Sequence, residues 1–311
     1  MSRPRPRQSP TAAPHTAVPH PAAPHTAVPH PAAPHTAVPH PAANRPVTPY
    51  DGRHELGQNL LLDKRFPASM AAILRHAPPR PILELGAGNG AVTEALLSLG
   101  RPVTAVELDP RAVTRLRRRF AGRVDVVEAD LLTVDLPYSH DIVSNVPFGI
   151  TTPLLRRLMP QQLWHTAVLL VQWEVARKRA GVGGTTMLTA SWWPWYEFAL
   201  AQRVPAAAFI PVPSVDGGIL VIRRRTQLLL DPVDRRDYQT LVREVFTGRG
   251  RGLAEILSTR LPARMIDRWL RQNALSGHRL PRDLTADHWV SLYRAARNQQ
   301  GPTGRAPFGH R

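Results

Sequence analysis

The chain has 311 residues, which is room for one large domain with a smaller one beside it. Its formal net charge is +17, and its basic residues, mostly Arg, suit a polyanionic partner without distinguishing RNA, DNA or anionic lipid. The lack of Cys excludes disulfides and thiolate chemistry. No run of 18 apolar residues is present, and the basic N-terminus lacks the apolar segment of a secretory signal. We therefore expect a cytoplasmic protein without a membrane partner.

The N-terminal region is a repeat. Residues 14–23, 24–33 and 34–43 are the same decapeptide, Pro-His-Thr-Ala-Val-Pro-His-Pro-Ala-Ala. Pro at this density blocks helix and interior strand, so we expect residues 1–45 to be an extended, disordered tail. The regular His spacing raises the possibility of metal binding, but a chain without preformed geometry favours a solubilising or loosely RNA-contacting tail, and we predict no metal site. The Gly- and Pro-containing residues 301–311 predict a second disordered tail.

Strand and helix patterns alternate through the next part of the chain. The strand-like runs are residues 81–85, 103–107, 124–128, 140–144 and 166–172, and the helical stretches between them are residues 90–99, 110–120 and 152–159. This alternation predicts an α/β fold, a parallel sheet with helices on both faces. Residues 192–204 and 218–223 then predict two further strands, an antiparallel hairpin at the sheet edge.

The pattern becomes helical after residue 226. Helices are predicted at residues 238–246, 252–259, 263–272 and 286–297. We therefore predict a large domain over residues 46–225 and a small helical domain over residues 226–300.

Residues with ligand-binding chemistry follow each of the first predicted strands. Residues 83–90, Leu-Glu-Leu-Gly-Ala-Gly-Asn-Gly, read as a strand, a Gly-rich turn at Gly86 and the start of a helix, which allows close backbone approach to a ligand. Glu107 lies where an acidic residue can bind ribose hydroxyls, and Asp130 could accept from an adenine amino group. Helix capping or an ordinary turn is the alternative for each acid, and for Asp109, which precedes Pro110, the N-cap is favoured.

The most informative segment is the turn at residues 145–148, Asn-Val-Pro-Phe, which ends an apolar run. An Asn oxygen and a neighbouring backbone carbonyl can each accept one N–H of a base's exocyclic amine. Those bonds favour the pyramidal, more nucleophilic nitrogen. The ring of Phe148 could stack on a base taken out of its helix. An ordinary turn with a buried Phe is the alternative.

The four residues at the strand ends indicate a ligand-binding site more specifically as a set than any one of them does alone. In an open parallel sheet, Gly86, Glu107, Asp130 and Asn145 would lie at one edge, where ligands bind. The glycine spacing, G-x-G-x-G, differs from that of dinucleotide-binding turns, and the turn at residues 145–148 has no role in hydride transfer. The pattern therefore favours S-adenosylmethionine over a nicotinamide cofactor.

The sequence resembles the rRNA adenine-N6 methyltransferases and, within that group, the Erm proteins, which modify 23S rRNA and confer resistance to macrolides, lincosamides and streptogramin B. The matching stretches are residues 56–61, 83–90, 106–109, 128–130, 144–148, 172–176, 192–195, 209–216 and 245–250. They span residues from about 50 to about 260. The early motifs are shared with sister enzymes that dimethylate 16S rRNA, whereas residues 173–176 (Trp-Glu-Val-Ala) and 192–195 (Trp-Trp-Pro-Trp) favour Erm.

The resemblance implies a Rossmann-like class I methyltransferase domain whose cofactor is S-adenosylmethionine and whose partner is 23S rRNA. The short amphipathic helices after residue 226, with Arg on their outer faces, predict that the helical domain helps to bind RNA, and we expect a monomer. The implied cofactor contacts are Asn59, Leu61, Gly86, Glu107, Asp130 and Asn145. The target amine would be held by Asn145, the Pro147 carbonyl and Phe148, with Phe209 packing on the flipped adenine from the other side.

Two mild departures from the family pattern stand out. Leu60 replaces the usual Phe after Asn59, and Phe148 stands where many relatives have Tyr. Both keep an apolar or stacking side chain, and neither predicts whether one or two methyl groups are added. Two alternatives stay open: a 16S rRNA adenine dimethyltransferase of ribosome assembly, and a non-catalytic RNA-binding factor with a methyltransferase fold.

Overall fold

The computed structural model describes residues 59–135 and 138–298. The described residues form nine strands: β1 (Leu60–Leu61), β2 (Ile82–Leu85), β3 (Val103–Glu107), β4 (Asp125–Glu128), β5 (His140–Asn145), β6 (Trp164–Gln172), β7 (Tyr196–Val204), β8 (Phe209–Ile210) and β9 (Gly217–Arg224). They also form ten α-helices: α1 (Arg65–Arg75), α2 (Ala91–Leu97), α3 (Pro110–Arg119), α4 (Thr151–Leu158), α5 (Trp173–Arg179), α6 (Met187–Trp192), α7 (Arg235–Thr247), α8 (Leu253–Ser258), α9 (Ala263–Gln272) and α10 (Ala286–Asn298). The predicted tails at residues 1–45 and 301–311 lie outside the described residues.

Seven strands form one sheet in the order β4-β3-β2-β5-β6-β9-β7. The first five are parallel, whereas β9 is antiparallel to β6 and β7 is antiparallel to β9. From β2 the chain proceeds outwards to β3 and β4, then returns to β5 on the other side of β2. The connections therefore diverge between β2 and β5, and such a switch point leaves a crevice at the carboxyl ends of the strands.

Helices cover both faces of the sheet, because its central strands are apolar on both sides. All four residues of β2 are buried, as expected for a strand of a covered parallel sheet. One face packs against α1 and α2 through a core that includes Met70, Leu74 and Leu96. The other face packs against α4 in a core that continues through Trp195 and Tyr238 to the C-terminal helices.

The predicted α/β fold is confirmed, and most predicted elements coincide with observed ones. Residues 103–107 are β3 and residues 263–272 are α9, as predicted. The strand predicted over residues 192–204 is wrong at its start: α6 ends at Trp192 and β7 begins at Tyr196. Thr186 caps α6 through its hydroxyl, and Trp192 packs edge-on against Trp195 and Tyr196. These contacts are local, and Gln239 of α7 adds a tertiary one by donating to the Ser191 carbonyl of α6 at 3.2 Å. Together they outweigh the strand preference of a Trp-rich run.

The region after residue 226 is helical, as predicted, and it shares a continuous hydrophobic core with the sheet. The Tyr238 hydroxyl of α7 donates to the Ala190 carbonyl of α6 at 2.7 Å. A separate helical domain over residues 226–300 stays a prediction. In the part of the chain that the structure covers, no helix has both the length and the apolar composition to cross a membrane.

Candidate active site

A chamber of about 250 Å³ lies at the carboxyl ends of β2, β3, β4 and β5, next to the switch point. Its wall includes seven of the residues singled out in the sequence: Asn59, Leu61, Gly86, Glu107, Asp130, Asn145 and Pro147. The strand ends come together because parallel strands all terminate at the same edge of the sheet. Phe148 and Phe209 are not part of this wall and contact each other beside it.

Glu107 is almost fully buried and organises the Gly-rich turn. Its Oε2 accepts from the Gly88 backbone N–H at 2.7 Å, and its Oε1 accepts from Leu108 and Asp109 N–H at 2.8 and 2.9 Å. A carboxylate oxygen can accept two hydrogen bonds, so Oε2 retains one acceptor position, and the residue lines the chamber. Glu107 therefore fixes the turn and can still accept from a ligand hydroxyl.

Asp130 combines a turn role with a vacant acceptor. Its Oδ1 accepts from the Leu132 backbone N–H at 2.8 Å, the bond expected of an Asp that starts a turn. The second oxygen, Oδ2, has no hydrogen-bond partner among the residues that the structure describes. It can therefore receive an N–H from a ligand in the chamber. Asp109, by contrast, caps α3 by accepting from Arg111 N–H, which confirms the N-cap prediction.

The side-chain amide of Asn145 has a defined orientation. Its Nδ2 donates to the backbone carbonyl of Asn59 at 2.9 Å. Because only the NH₂ group can donate to a carbonyl, this bond assigns the two ends of the amide. The Oδ1 atom is therefore the end left over to accept a hydrogen bond.

A short segment ahead of α1, residues 59–62, links the chamber to the strand β8 beside it. Its strand β1 pairs with β8, with Leu60 opposite Ile210 and Leu61 opposite Phe209. The pair is extended by a bond from Leu62 N–H to the Ala208 carbonyl at 2.8 Å. One segment thus contacts the Asn145 amide and fixes the strand that carries Phe209.

The ring of Phe148 is half-buried, whereas Phe209 is only 1% exposed. The two rings meet edge to face, with centroids 6.3 Å apart and planes at 73°. This arrangement is a favourable aromatic contact, and a base could lie between the rings only if one of them moved. The Pro147 carbonyl accepts from Ile150 N–H at 3.0 Å and retains a second lone pair.

Glu84, a chamber residue that was not singled out from the sequence, lies within β2. Burial raises the pKa of its carboxyl to about 8, the hydrogen bond from Thr93 lowers it in part, and the nearby charge of Glu107 adds to the rise. The signal in the sequence is a lone acidic residue within a strand of apolar ones, at a position whose neighbours Leu83 and Leu85 face a core.

The glycines of the turn have different roles. Gly86, Gly88 and Gly90 all adopt left-handed backbone angles, with φ of +74°, +55° and +78°. Gly86 and Gly88 line the chamber. A Cβ on Gly90 would instead lie 2.6 Å from Cε2 of Phe120, so this glycine is required for packing between the turn and α3.

Basic residues cluster at residues 115–119, 177–179, 223–225 and 249–251. Some of the arginines in or next to these clusters form ion pairs within the protein. Arg119 pairs with Glu94 at 2.8 Å, Arg177 with Glu174 at 2.8 Å, and Arg225 with Glu197 at 2.8 Å. Other members point outwards: within the described ranges, the exposed side chains of Arg118, Arg223 and Arg249 make no ion pair and no hydrogen bond. Within residues 59–135 and 138–298, no three His, Asp or Glu side chains lie close enough together to bind a metal ion.

Comparisons with known proteins agree with this architecture. Residues 50–297 match the family described as Ribosomal RNA adenine dimethylase. The chain is 61% identical over 259 residues to the mycinamicin-resistance protein MyrB of Micromonospora griseorubida, covering 82% of this chain and 83% of MyrB. It is 47% identical over 208 residues to an rRNA adenine N-6-methyltransferase of Corynebacterium diphtheriae, covering 66% and 82% of the two chains.

The solved structures include a match at the level of the whole fold. The crystal structure of the 23S rRNA methyltransferase ErmE has a TM-score of 0.72 and 32% sequence identity, covering 76% of this chain and 99% of that one. The family match extends over most of the chain, and the relatives align along most of their own lengths. The chain belongs to the ribosomal RNA adenine dimethylase family.

Proposed function

We propose that this protein transfers methyl groups from S-adenosylmethionine to N6 of an adenine in 23S rRNA, in the loop that forms the peptidyl transferase centre. The modification would protect the ribosome against macrolide, lincosamide and streptogramin B antibiotics. The observation that carries the proposal is the orientation of the Asn145 amide, which presents Oδ1 as an acceptor beside a chamber lined with carboxylates.

The relatives favour this activity over its alternatives. MyrB is named for mycinamicin resistance, and ErmE for methylation of 23S rRNA. The 16S alternative shares the early motifs but not this resistance context. A non-catalytic RNA-binding factor would have no need of an intact turn at residues 145–148.

The chamber fits a cationic adenosine compound. Its wall carries the carboxyl groups of Glu84, Glu107 and Asp130, and within the described residues no Lys, Arg or His side chain lines it. The remaining acceptor of Glu107 suits a ribose hydroxyl, and Oδ2 of Asp130 suits the adenine amino group. When bound, S-adenosylmethionine supplies a methyl group made electrophilic by its sulfonium. Asn59, Leu61 and Gly86 would complete the contacts to it.

The target adenine is activated by placed acceptors. Its amino nitrogen is a poor nucleophile because the lone pair is delocalised into the ring. Asn145 Oδ1 and the free lone pair of the Pro147 carbonyl would each accept one N–H bond and stabilise the pyramidal nitrogen of the transition state. The proton can leave after the transfer, so no ionised base is required.

Phe148 is the ring on which the flipped adenine would stack, because its side chain is only half-buried. Phe209 would have to leave tight packing to meet a base, since it is 1% exposed. In this proposal Phe209 supports Phe148 from its edge and moves against the adenine only if the pocket opens.

The outward-facing arginines provide contacts for the RNA backbone. Arg118, Arg223 and Arg249 have no competing partner within the described part of the chain, and guanidinium groups bind phosphates through paired donors. We propose a monomer that acts on rRNA in the cytoplasm.

The test is methyl transfer from labelled S-adenosylmethionine to protein-free 23S and 16S rRNA, with mass spectrometry of the modified nucleosides. N6-methyladenine in 23S rRNA alone supports the proposal, and the methyl count distinguishes mono- from dimethylation. Label in 16S rRNA would support the assembly enzyme instead. Absence of label in both, although the protein binds rRNA, would favour the non-catalytic factor.

Asn145→Ala tests whether Asn145 Oδ1 acts as an acceptor for the target amine. Loss of one acceptor should reduce kcat by about 10²–10³-fold and leave RNA affinity within about twofold, because the base pocket contributes little to backbone binding. Asn298→Ala, at the exposed end of α10, is the matched control and should behave as wild type. Unchanged turnover in Asn145→Ala would refute the catalytic assignment.

A further inference from the structure

Glu84 is the most buried carboxyl group of the chamber. The residue is 1% exposed and lies in β2 between β3 and β5, yet it forms part of the chamber wall. A carboxylate removed from water is costly unless donors or cations compensate its charge. Its protonation state therefore depends on how many such groups surround it.

Few donors reach this carboxyl group. The hydroxyl of Thr93, a fully buried residue of α2, donates to Oε2 at 2.5 Å. The backbone N–H of Thr93 also lowers the pKa of this carboxyl, and no donor from any other described residue reaches it. Glu107, in the same chamber, receives three backbone N–H bonds. The charge of Glu107 is thus stabilised where that of Glu84 is not.

Among the residues that the structure describes, no cation lines the chamber beside Glu84 either. The other titratable groups of the chamber wall are Glu107 and Asp130, both acidic. The acid of α2, the helix whose Thr93 contacts Glu84, is Glu94, which is exposed and pairs with Arg119.

The other described elements around Glu84 place no free cation against it. The titratable residues of β5 are His140, whose pKa is lowered by burial, and Asp141, which forms a buried ion pair with Arg101. The titratable side chains of α1 are Arg65 and Arg75, which are exposed.

The electrostatics agree with the geometry. Burial is the largest cause that raises the pKa of Glu84, and it does so to about 8. At pH 7 the protonated form of Glu84 would then predominate. Ionisation of Glu84 is unfavourable because it places a second negative charge close to Glu107. A positively charged ligand in the chamber would offset that repulsion and favour the ionised form.

We propose that Glu84 is a positioning residue that is neutral before the cofactor binds and releases its proton to solvent when the positively charged cofactor enters, becoming a counter-charge only in the complex. This inference rests on S-adenosylmethionine being the cofactor. Its sulfonium and ammonium groups outnumber its one carboxylate, so its net charge is positive. The released proton links cofactor affinity to pH.

The direction of the linkage follows from the two states. Below about pH 8 the free protein holds the proton and must lose it on binding, so the affinity falls as the pH falls. Between about pH 6 and pH 8 the dissociation constant should decrease by up to about tenfold per pH unit and then level off. A Gln at position 84 cannot titrate, so Glu84→Gln should lose this dependence.

The experiment is calorimetric titration of the full chain with S-adenosylmethionine at pH 7 in phosphate, HEPES and Tris. The slope of the observed enthalpy against buffer ionisation enthalpy counts the protons released. Because the amino group of the cofactor also titrates near neutral pH, the decisive quantity is the difference between wild type and Glu84→Gln. We expect wild type to release between about half a proton and one proton more.

Two further variants make the result specific. Glu94→Gln makes the same substitution outside the chamber and should release as many protons as wild type. Thr93→Val removes the hydroxyl donor and keeps the backbone N–H, so wild-type proton release should persist. The pH at which the affinity stops increasing should then be higher than in wild type, because the pKa of Glu84 in the free protein rises.

Equal proton release by wild type and Glu84→Gln would overturn the inference. If Glu84→Gln does not fold, a wild-type affinity that is constant between pH 6 and pH 8 would overturn it as well. Absence of saturable binding to folded wild-type protein is a different outcome, which refutes the proposed cofactor itself.

Discussion

Gly90→Ala tests whether the third glycine of the turn serves packing. Gly90 has φ of +78°, and a Cβ there would lie 2.6 Å from Cε2 of Phe120 and 2.9 Å from Cδ2 of Leu116. Both neighbours are 1% exposed and belong to a tight cluster beneath α3, so neither can move away freely.

The expected loss of stability has three parts. A left-handed Ala costs about 1–2 kcal/mol, and forcing a methyl group into a packed core costs about 1–3 kcal/mol. The lower entropy of Ala in the unfolded chain returns about 0.4–1 kcal/mol. We expect the free energy of unfolding to fall by about 3 kcal/mol, which is a large share of the stability of a typical domain.

The assay is urea unfolding followed by Trp fluorescence, with Gly100→Ala as the matched control. Gly100 has a comparable φ of +65°, but nothing lies within 4 Å of the position that a Cβ would take there. The difference between the two variants therefore isolates the steric overlap, about 1–3 kcal/mol, provided that the urea dependence is unchanged. Equal losses in Gly90→Ala and Gly100→Ala would refute the packing role.

Two other predictions follow from contacts around the site. Arg101→Leu should destabilise the protein by about 3–5 kcal/mol, because it leaves the fully buried Asp141 without its ion-pair partner. In urea unfolding, the double variant that adds Asp141→Asn should recover part of this loss. An Arg101→Leu protein as stable as wild type would contradict the prediction. Phe148→Ala should lower kcat/KM for rRNA methylation by about 5–150-fold, the value of one base-stacking contact, whereas Phe148→Tyr keeps the ring and should stay within about threefold; an unchanged kcat/KM in the Ala variant would exclude stacking on this ring.

The strands of the parallel sheet could be predicted because they are short apolar runs between turn residues. Both faces of this sheet are buried, so its strands are continuously apolar and do not alternate between apolar and polar residues. Residues 140–144, for example, lie within β5. The sequence prediction omits α6 because its Trp-rich end resembles a strand. The start of α6 is set by the local Thr186 cap, but its place is fixed by hydrogen bonds that Tyr238 and Gln239 of α7 donate to its backbone, and only folding brings these residues together.

The meeting of Gly86, Glu107, Asp130 and Asn145 also followed from the sequence, because each residue ends a strand or follows it directly and parallel strands end together. The sequence could not show that Asn59 sets the orientation of the Asn145 amide, since residues 86 positions apart meet only in the folded chain. Nor could it show that Phe209 is packed edge-on against Phe148.

By itself the sequence determined the fold class, the strands of the seven-stranded sheet in their order along the chain, and the family. Apolar runs, glycines and polar residues at strand ends are local features of a sequence and need no folded structure to be recognised. The tertiary structure alone decided which atoms of those residues can act. Glu84 and Glu107 are both acids of β-strands, yet among the described residues Glu84 has donors from Thr93 alone, whereas Glu107 accepts from the backbone N–H groups of three residues. A pKa depends on the donors, charges and water within a few ångströms, and folding places them there from distant parts of the chain.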